Sequence, residues 1–259
     1  MAPPGTLVLT GFGINCDYET QYAFFTAGSN ARMVHVNDLI ERPEILSEFQ
    51  ILALPGGFSF GDDIASGKVL ANKLRYRLGE SLVSFLESDK LLIGICNGFQ
   101  VLVRLGLLPD GHHGMGCQRV SLTYNDSGKF EDRWVNLKVE NRIDCIFTRG
   151  VDRLELPVRH GEGKFMVDSA ETLEQIERSG QVVLRYSTPD GGSCVYPDNP
   201  NGSVNDIAGI CDPSGRIFGL MPHPEAFMHR THHPRWTRQN LPEQGQGMAI
   251  FRNAVAYFL

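Results

Sequence analysis

Short apolar runs closed by glycine alternate, in the first half of the chain, with longer stretches whose apolar residues recur every three or four positions. Thr6 to Thr10 is such a run, stopped by Gly11, and predicts a buried strand. Asp17 is placed to cap a helix through about Ala27, with Tyr18, Tyr22 and Phe25 at helical spacing. Met33 to Val36 and Ile51 to Leu54 predict two further strands, the second stopped by Pro55-Gly56-Gly57. Lys68 to Glu87 carries Leu70, Leu74, Leu78, Leu82, Phe85 and Leu86 near one face of a long helix. Leu91 to Ile95 is uniformly apolar, as suits a central parallel strand buried on both faces, and Asn97 to Gly106 follows as a helix. Strand–helix alternation with short turns means βαβ units and a parallel sheet covered on both sides.

The second half changes texture. Val120 to Tyr124, Trp134 to Val139, Val182 to Tyr186, Ile207 to Cys211 and Arg216 to Leu220 read as strands between Asn/Asp/Gly turns. Thr188 to Asn205 is a long loop with several turn signals, and Gly245 to Phe258 closes the chain as an amphipathic helix. No repeat or convincing linker interrupts the pattern. The expectation is one domain over residues 1–259: an α/β fold whose open, mostly parallel sheet has helices on both faces, with a small antiparallel extension.

Composition removes whole classes of function. The 24 Lys+Arg against 30 Asp+Glu leave a net charge of −6, which supplies no electrostatic footprint for nucleic acid or an anionic membrane. No stretch approaches the roughly 20 apolar residues of a membrane span, and the N-terminus lacks the basic region of a secretory signal. The six cysteines form no CxxC pair, a pattern suited to a reducing cytoplasm.

The sharpest chemical feature is LLIGICNGFQ, residues 91 to 100. Cys96 lies between the predicted central strand and the next helix, with Gly94 two before and Gly98 two after, the spacing of a nucleophile elbow. Side chains at those two positions would collide with neighbouring backbone. The turn lifts the cysteine to the carboxyl edge of the sheet, where open α/β folds bind ligands. It also sets the sulfur at a helix N-terminus, which favours a thiolate. A nucleophile needs a base, and the base an orienting group. GLMPHPE, residues 219 to 225, offers His223 and Glu225 two apart in a stretch stiffened by Pro222 and Pro224, so that both side chains project together. Upstream, PGGFSFGDDIASGK (residues 55 to 68) brings flexible glycines to another strand end, and the Gly57 and Asn97 amides are the candidate oxyanion hole. The same loop does not match a phosphate-binding GxxxxGK[ST] pattern.

Cys96, the distant HPE unit and the glycine loop together resemble the class I (triad) glutamine amidotransferases. The blocks PGGFSFGDDIASGK, GICNGFQ, HGEGKF (160 to 165), NPNGS (199 to 203), IAGI (207 to 210) and GLMPHPE are similar to the glutaminase branch of phosphoribosylformylglycinamidine synthase. The resemblance implies a flavodoxin-like fold and a de novo purine-synthesis role. It implies that Cys96 forms a thioester with L-glutamine, that His223 moves the protons and that Glu225 orients it. Phe58 and Gln100 become glutamine contacts, and His160 and Glu162 lie near the site or a partner contact; a plain turn there remains the alternative. The chain is expected to need no cofactor or metal, with ATP and Mg on a synthetase partner accompanied by a small accessory subunit. A glutaminase of another pathway and a redox-sensing module on the same fold stay open as alternatives.

Two departures stand out: Ala226 replaces the family's more frequent Arg after HPE, and residues 229–243 resemble the tail of fused, single-chain enzymes. The groups His112, His113, Cys117 and His229, His232, His233 lack the spacing of a zinc site. Cys16, Cys117, Cys145, Cys194 and Cys211 are expected to be structural.

Overall fold

A computed structural model describes residues 2–259. Five parallel strands carry the first half of the fold: β1 (Gly5–Thr10), β2 (Asn30–His35), β3 (Ile51–Leu54), β4 (Leu91–Ile95) and β11 (Ile217–Leu220). Between the last two in sequence come β5 (Val120–Thr123), β6 (Glu131–Val139), β7 (Arg153–His160), β8 (Lys164–Val167), β9 (Val182–Ser187) and β10 (Ile207–Cys211). The nine-stranded sheet runs β2-β1-β3-β4-β11-β10-β9-β6-β7, and β5 with β8 forms a separate antiparallel pair. From β11 outward every pairing is antiparallel. The antiparallel extension is therefore four strands wide.

The helices are α1 (Asp17–Thr26), α2 (Val36–Glu41), α3 (Lys68–Glu87), α4 (Asn97–Leu105), α5 (Ala170–Arg178) and α6 (Met248–Ala256). The predicted apolar face of α3 is the buried one, and all five residues of β4 are buried between helical layers. Helix α1 packs on α6 through Phe24 and Phe251, whose rings meet edge-on at 5.0 Å.

Helix α1 turns the other way from the sequence expectation. Tyr18, Tyr22 and Phe25 face outward, with Tyr18 70% exposed, and the buried stripe is Asp17, Thr20, Ala23 and Phe24. Asp17 is the first helical residue and not the cap; its carboxylate accepts the Thr10 hydroxyl. That bond ties the start of α1 to the end of β1 and turns Thr20, Ala23 and Phe24 inward. Val36 opens α2 in place of ending a strand, and α5, capped by the Ser169 hydroxyl on the Thr172 N–H, is an added helix. Among the described residues no helix is long and apolar enough to cross a membrane.

The sheet order decides where chemistry can gather. β1, β3, β4 and β11 are neighbours running the same way, so their carboxyl ends open on one edge. The β6–β7 hairpin arches back over that edge: the His223 N–H donates to the Pro157 carbonyl at 2.8 Å. Residues 229–243 strap the outside of this hairpin. His233 is fully buried with its ring 4.7 Å from Trp134 on β6, and Arg235 pairs with Glu155 on β7 at 3.0 Å.

Candidate active site

Cys96 occupies the turn between β4 and α4 with φ 51° and ψ −106°, a conformation that L side chains rarely adopt. Close packing enforces it. A Cβ added to Gly94 would lie 2.6 Å from the Gly98 carbonyl oxygen, and one added to Gly98 would lie 1.9 Å from that of Leu54. Both flanking glycines are thus demanded by backbone contact, as an elbow requires. The Cys96 N–H donates to the Leu220 carbonyl at 2.8 Å, which locks the elbow to β11, and its thiol points to the Arg159 carbonyl at 3.6 Å.

β11 then leads into the candidate base. His223 Nδ1 and Glu225 Oε1 are 2.5 Å apart, and both residues are buried. Burial by itself opposes a charge on His223. Glu225 and the neighbouring thiols of Cys96 and Cys16 outweigh it, holding the imidazolium well above the ordinary histidine range. His223 Nε2 and Glu225 Oε2 are buried and make no hydrogen bond within the chain. With Nδ1 engaged by the carboxylate, Nε2 is the nitrogen left for chemistry.

The glycine loop after β3 is fastened to two other loops. Phe58 N–H donates to Gly13 O at 2.7 Å, and Asn15 and Cys16 N–H groups share Gly56 O at 3.3 and 3.2 Å. On the elbow side, the Asn97 carboxamide accepts the Ser59 N–H at 3.1 Å and donates to Asp62 at 3.2 Å and Gln100 at 2.9 Å. Neither the Gly57 nor the Asn97 N–H has an acceptor among the described residues. Both N–H groups are left free to donate, as the donors of an oxyanion hole must be. Gly57 has φ 144°, and a Cβ there would sit 2.5 Å from the Gly13 carbonyl.

Gln100, expected to touch substrate, has both ends engaged: Oε1 accepts from Asn97 and Nε2 donates to the Glu162 carbonyl at 2.6 Å. It bridges elbow and hairpin. Phe58 is half-exposed at the rim with its ring 6.3 Å from Phe130. The HGEG turn borders the site through backbone, the carbonyls of Arg159 and Glu162 facing Cys96 and Gln100. The His160 ring is instead buried inside the turn against Asn125 at 3.1 Å. Burial, helped by the nearby His223, pushes His160 down to about 3, so it is neutral. NPNGS braces the same turn: Asn201 donates to Gly163 O at 2.8 Å and the Ser203 hydroxyl accepts the Phe165 N–H at 2.9 Å.

Cys16, expected to be structural, lies beside the site. Its sulfur lies with His223 and Glu225 in one cluster whose ligand atoms fall within 4.8 Å of one another. Burial, the dominant effect, raises its thiol above the usual range. The other histidine groups singled out from sequence form no such cluster among the described residues.

The architecture and the blocks that build this site recur in known proteins. Residues 3–258 match the model of the CobB/CobQ-like glutamine amidotransferase domain. A phosphoribosylformylglycinamidine synthase subunit PurQ from Dehalococcoides mccartyi is 50% identical over 262 residues, covering 99% of this chain and 98% of that protein. A PurQ subunit from Methanococcus maripaludis is 43% identical over 270 residues, covering 98% and 97%. The solved structure of PurLQS from Thermotoga maritima contains a chain that superposes with a TM-score of 0.73 at 30% identity, covering 99% of this chain and all of that one. The strap at 229–243 is thus compatible with separate subunits, since relatives named as subunits span nearly the full chain. The chain belongs to the CobB/CobQ-like glutamine amidotransferase domain family and, within it, to the PurQ subunits of phosphoribosylformylglycinamidine synthase.

Proposed function

We propose that this chain is the glutaminase component of phosphoribosylformylglycinamidine synthase, hydrolysing L-glutamine and passing ammonia to a synthetase subunit. The observation that carries the reading is the convergence of a forced elbow cysteine, a buried His–Glu pair and two free backbone donors at one sheet edge. The carboxamide carbon of glutamine is attacked by Cys96 Sγ as a thiolate paired with the His223 imidazolium, which Glu225 favours and which holds the sulfur's proton at Nε2. Gly57 and Asn97 N–H groups hold the tetrahedral oxyanion; charge develops there, so donors fixed in advance lower the barrier. The imidazolium then protonates the leaving nitrogen, releasing ammonia and leaving a thioester. Water, deprotonated by the same imidazole, cleaves the thioester to glutamate and restores the thiolate–imidazolium pair. Glu225 keeps the proton on Nδ1 throughout and stabilises each imidazolium.

Phe58 borders the glutamine entrance, while Gln100, His160 and Glu162 shape it through the hairpin. The chain itself needs no cofactor or metal for this cycle; ATP and Mg act on the synthetase. PurLQS names three components, and we assign this chain the Q position beside a large synthetase and a small accessory subunit, in the cytoplasm, where all six free thiols stay reduced.

The test uses the reconstituted complex. A glutamine-analogue alkylator is expected to modify Cys96 alone, and His223→Ala to abolish glutamine-dependent amidation while ammonia-dependent amidation persists. Labelling at another residue, or equal loss of both activities, refutes the assignment.

A further inference from the structure

We infer that Asp62 is a positioning residue for glutamine hydrolysis: through the Asn97 carboxamide it holds the loop carrying the Gly57 N–H in register with the helix start carrying the Asn97 N–H. The inference rests on the oxyanion hole proposed above, a cycle in which Asp62 itself has no task. Its loop is poorly able to hold its own shape. After Gly57 at φ 144°, Phe60, Gly61 and Asp62 follow at φ 54°, 71° and 53°. Non-glycine residues stay in that region only where their surroundings fix them, and Asp is among the few that tolerate it. Two bonds to one side chain supply the fixing. The Ser59 N–H donates to Asn97 Oδ1 at 3.1 Å, and Asn97 Nδ2 donates to Asp62 Oδ1 at 3.2 Å.

A carboxamide can turn over and exchange its oxygen for its nitrogen, so its neighbours must choose the orientation. Asp62 chooses. The Gly67 N–H, at the start of α3, can only donate, and it reaches Asp62 Oδ1 at 3.3 Å, which makes that oxygen an acceptor. Asn97 must therefore present Nδ2 to Asp62 and Oδ1 to Ser59. Its other Nδ2 hydrogen goes to Gln100 Oε1 at 2.9 Å, and Gln100 Nε2 donates to the Glu162 carbonyl at 2.6 Å, again a group that can only accept. The chain of bonds from Gly67 to Glu162 thus has one direction, set by fixed acceptors at both ends. Asp62 Oδ2 accepts the Ser66 hydroxyl at 3.1 Å, and the Ser66 carbonyl accepts Arg104 Nε at 2.6 Å. Burial raises the Asp62 carboxyl above its usual range, opposed by the bonds from Gly67, Ser66 and Asn97 and by the charge of Arg104, which Glu162 also faces.

The test uses the reconstituted complex. Asp62→Gly removes the carboxylate and leaves the backbone free to keep its φ. Glutamine-dependent kcat should fall about tenfold with KM for glutamine within about twofold, because the displaced donors act on the transition state. Ammonia-dependent amidation should persist. Asp62→Asn, whose carbonyl can accept both Oδ1 bonds and whose amide nitrogen can donate to Ser66, should recover most of the loss. With Asn97→Ala already present, Asp62→Gly should cost no more than about a further twofold, since both changes cut one path. Asp63→Ala, at the exposed neighbouring carboxylate, should leave kcat unchanged. Hydrogen exchange over residues 58–62 should quicken in Asp62→Gly and not in Asp62→Asn. Unchanged kcat in Asp62→Gly, an equal loss in Asp62→Asn, a loss taken up in KM, or full additivity with Asn97→Ala overturns the inference while leaving the proposed function in place. A wild-type complex that hydrolyses no glutamine refutes that function and, with it, the task given to Asp62; exchange then still decides whether Asp62 fixes the loop.

Discussion

Gly56→Ala isolates how closely the His223 imidazole, the proposed base, is gripped. Gly56 does not have a positive φ, so alanine there brings no backbone strain and the effect comes from contact alone. The new methyl carbon would sit 2.8 Å from His223 Cε1 and 3.4 Å from Nδ1. Ordinary carbon–carbon contact begins near 3.5 Å, so the ring must retreat by about 0.7 Å. It has little room, because Nδ1 is held 2.5 Å from Glu225 and the His223 N–H is bonded to Pro157. Retreat therefore misaligns Nε2 with Cys96. A misplacement approaching 1 Å costs about 100-fold, or about 2.7 kcal/mol of transition-state stabilisation. Overpacking adds about 1–3 kcal/mol of destabilisation, visible as a melting-point drop of a few degrees in a chain this size. The assay compares glutamine-dependent and ammonia-dependent amidation in the reconstituted complex. Glutamine-dependent kcat/KM should fall about 100-fold while the ammonia-dependent rate stays within about twofold. Full glutamine-dependent activity in a folded Gly56→Ala variant would refute the claim that the ring is wedged between this loop and Glu225.

Asn97→Ala keeps the proposed oxyanion N–H but deletes the carboxamide that fastens Ser59, Asp62 and Gln100. Leaving the Ser59 N–H and the Gln100 carbonyl unpartnered should cost about 2–5 kcal/mol in urea unfolding, with a tenfold or so loss of kcat as the glycine loop slackens. An unchanged midpoint would show the tie to be idle. His160 is held neutral, its folded value of about 3 lying below the unfolded one. The stability it contributes is complete above about pH 6.5 and is lost as pH falls from there towards 3, about 2 kcal/mol by pH 5. His160→Gln should abolish that part of the acid slope; parallel wild-type and variant curves between pH 7 and 5 would contradict it.

How far the site could be read from sequence depends on whether its signal is local. Cys96 is legible because the glycines two before and two after it are demanded by one tight turn. His223 and Glu225 are legible because two prolines stiffen a three-residue unit. Strands β1, β3 and β4 are apolar runs stopped by glycine or proline or leading straight into the elbow, and they stand where the pattern put them. Other features lack such marks. Helix α5 exposes most of its length and buries little beyond Thr172 and Ile176. The aromatic spacing of α1 pointed to the wrong face because Asp17, bound to Thr10, sets the helix rotation from outside the helix. Gln100 sits one turn along from the nucleophile, which made it look like a substrate contact, and only the returning hairpin shows where its amide goes.

Cys16 shows what connects these cases. No spacing marks it, yet it follows β1, and β1 lies two strands from β4 in a run of parallel neighbours. Every loop at a carboxyl end of β1, β3, β4 or β11 reaches the same edge, so the residue after β1 was a candidate by topology before any side chain was placed. The hairpin wall follows the same logic at longer range. β7 lies at the far end of the sheet order, but bending returns Pro157 and Arg159 to His223 and Cys96. The strap presses on the outer side of that hairpin through His233, Arg235 and their partners Trp134 and Glu155. A segment that resembles the tail of a fused enzyme therefore supports the wall that the Cys96 thiol faces. Changes in the strap should reach His223 through the Pro157 carbonyl, because its 2.8 Å hydrogen bond from the His223 N–H joins the hairpin directly to the backbone of the proposed base.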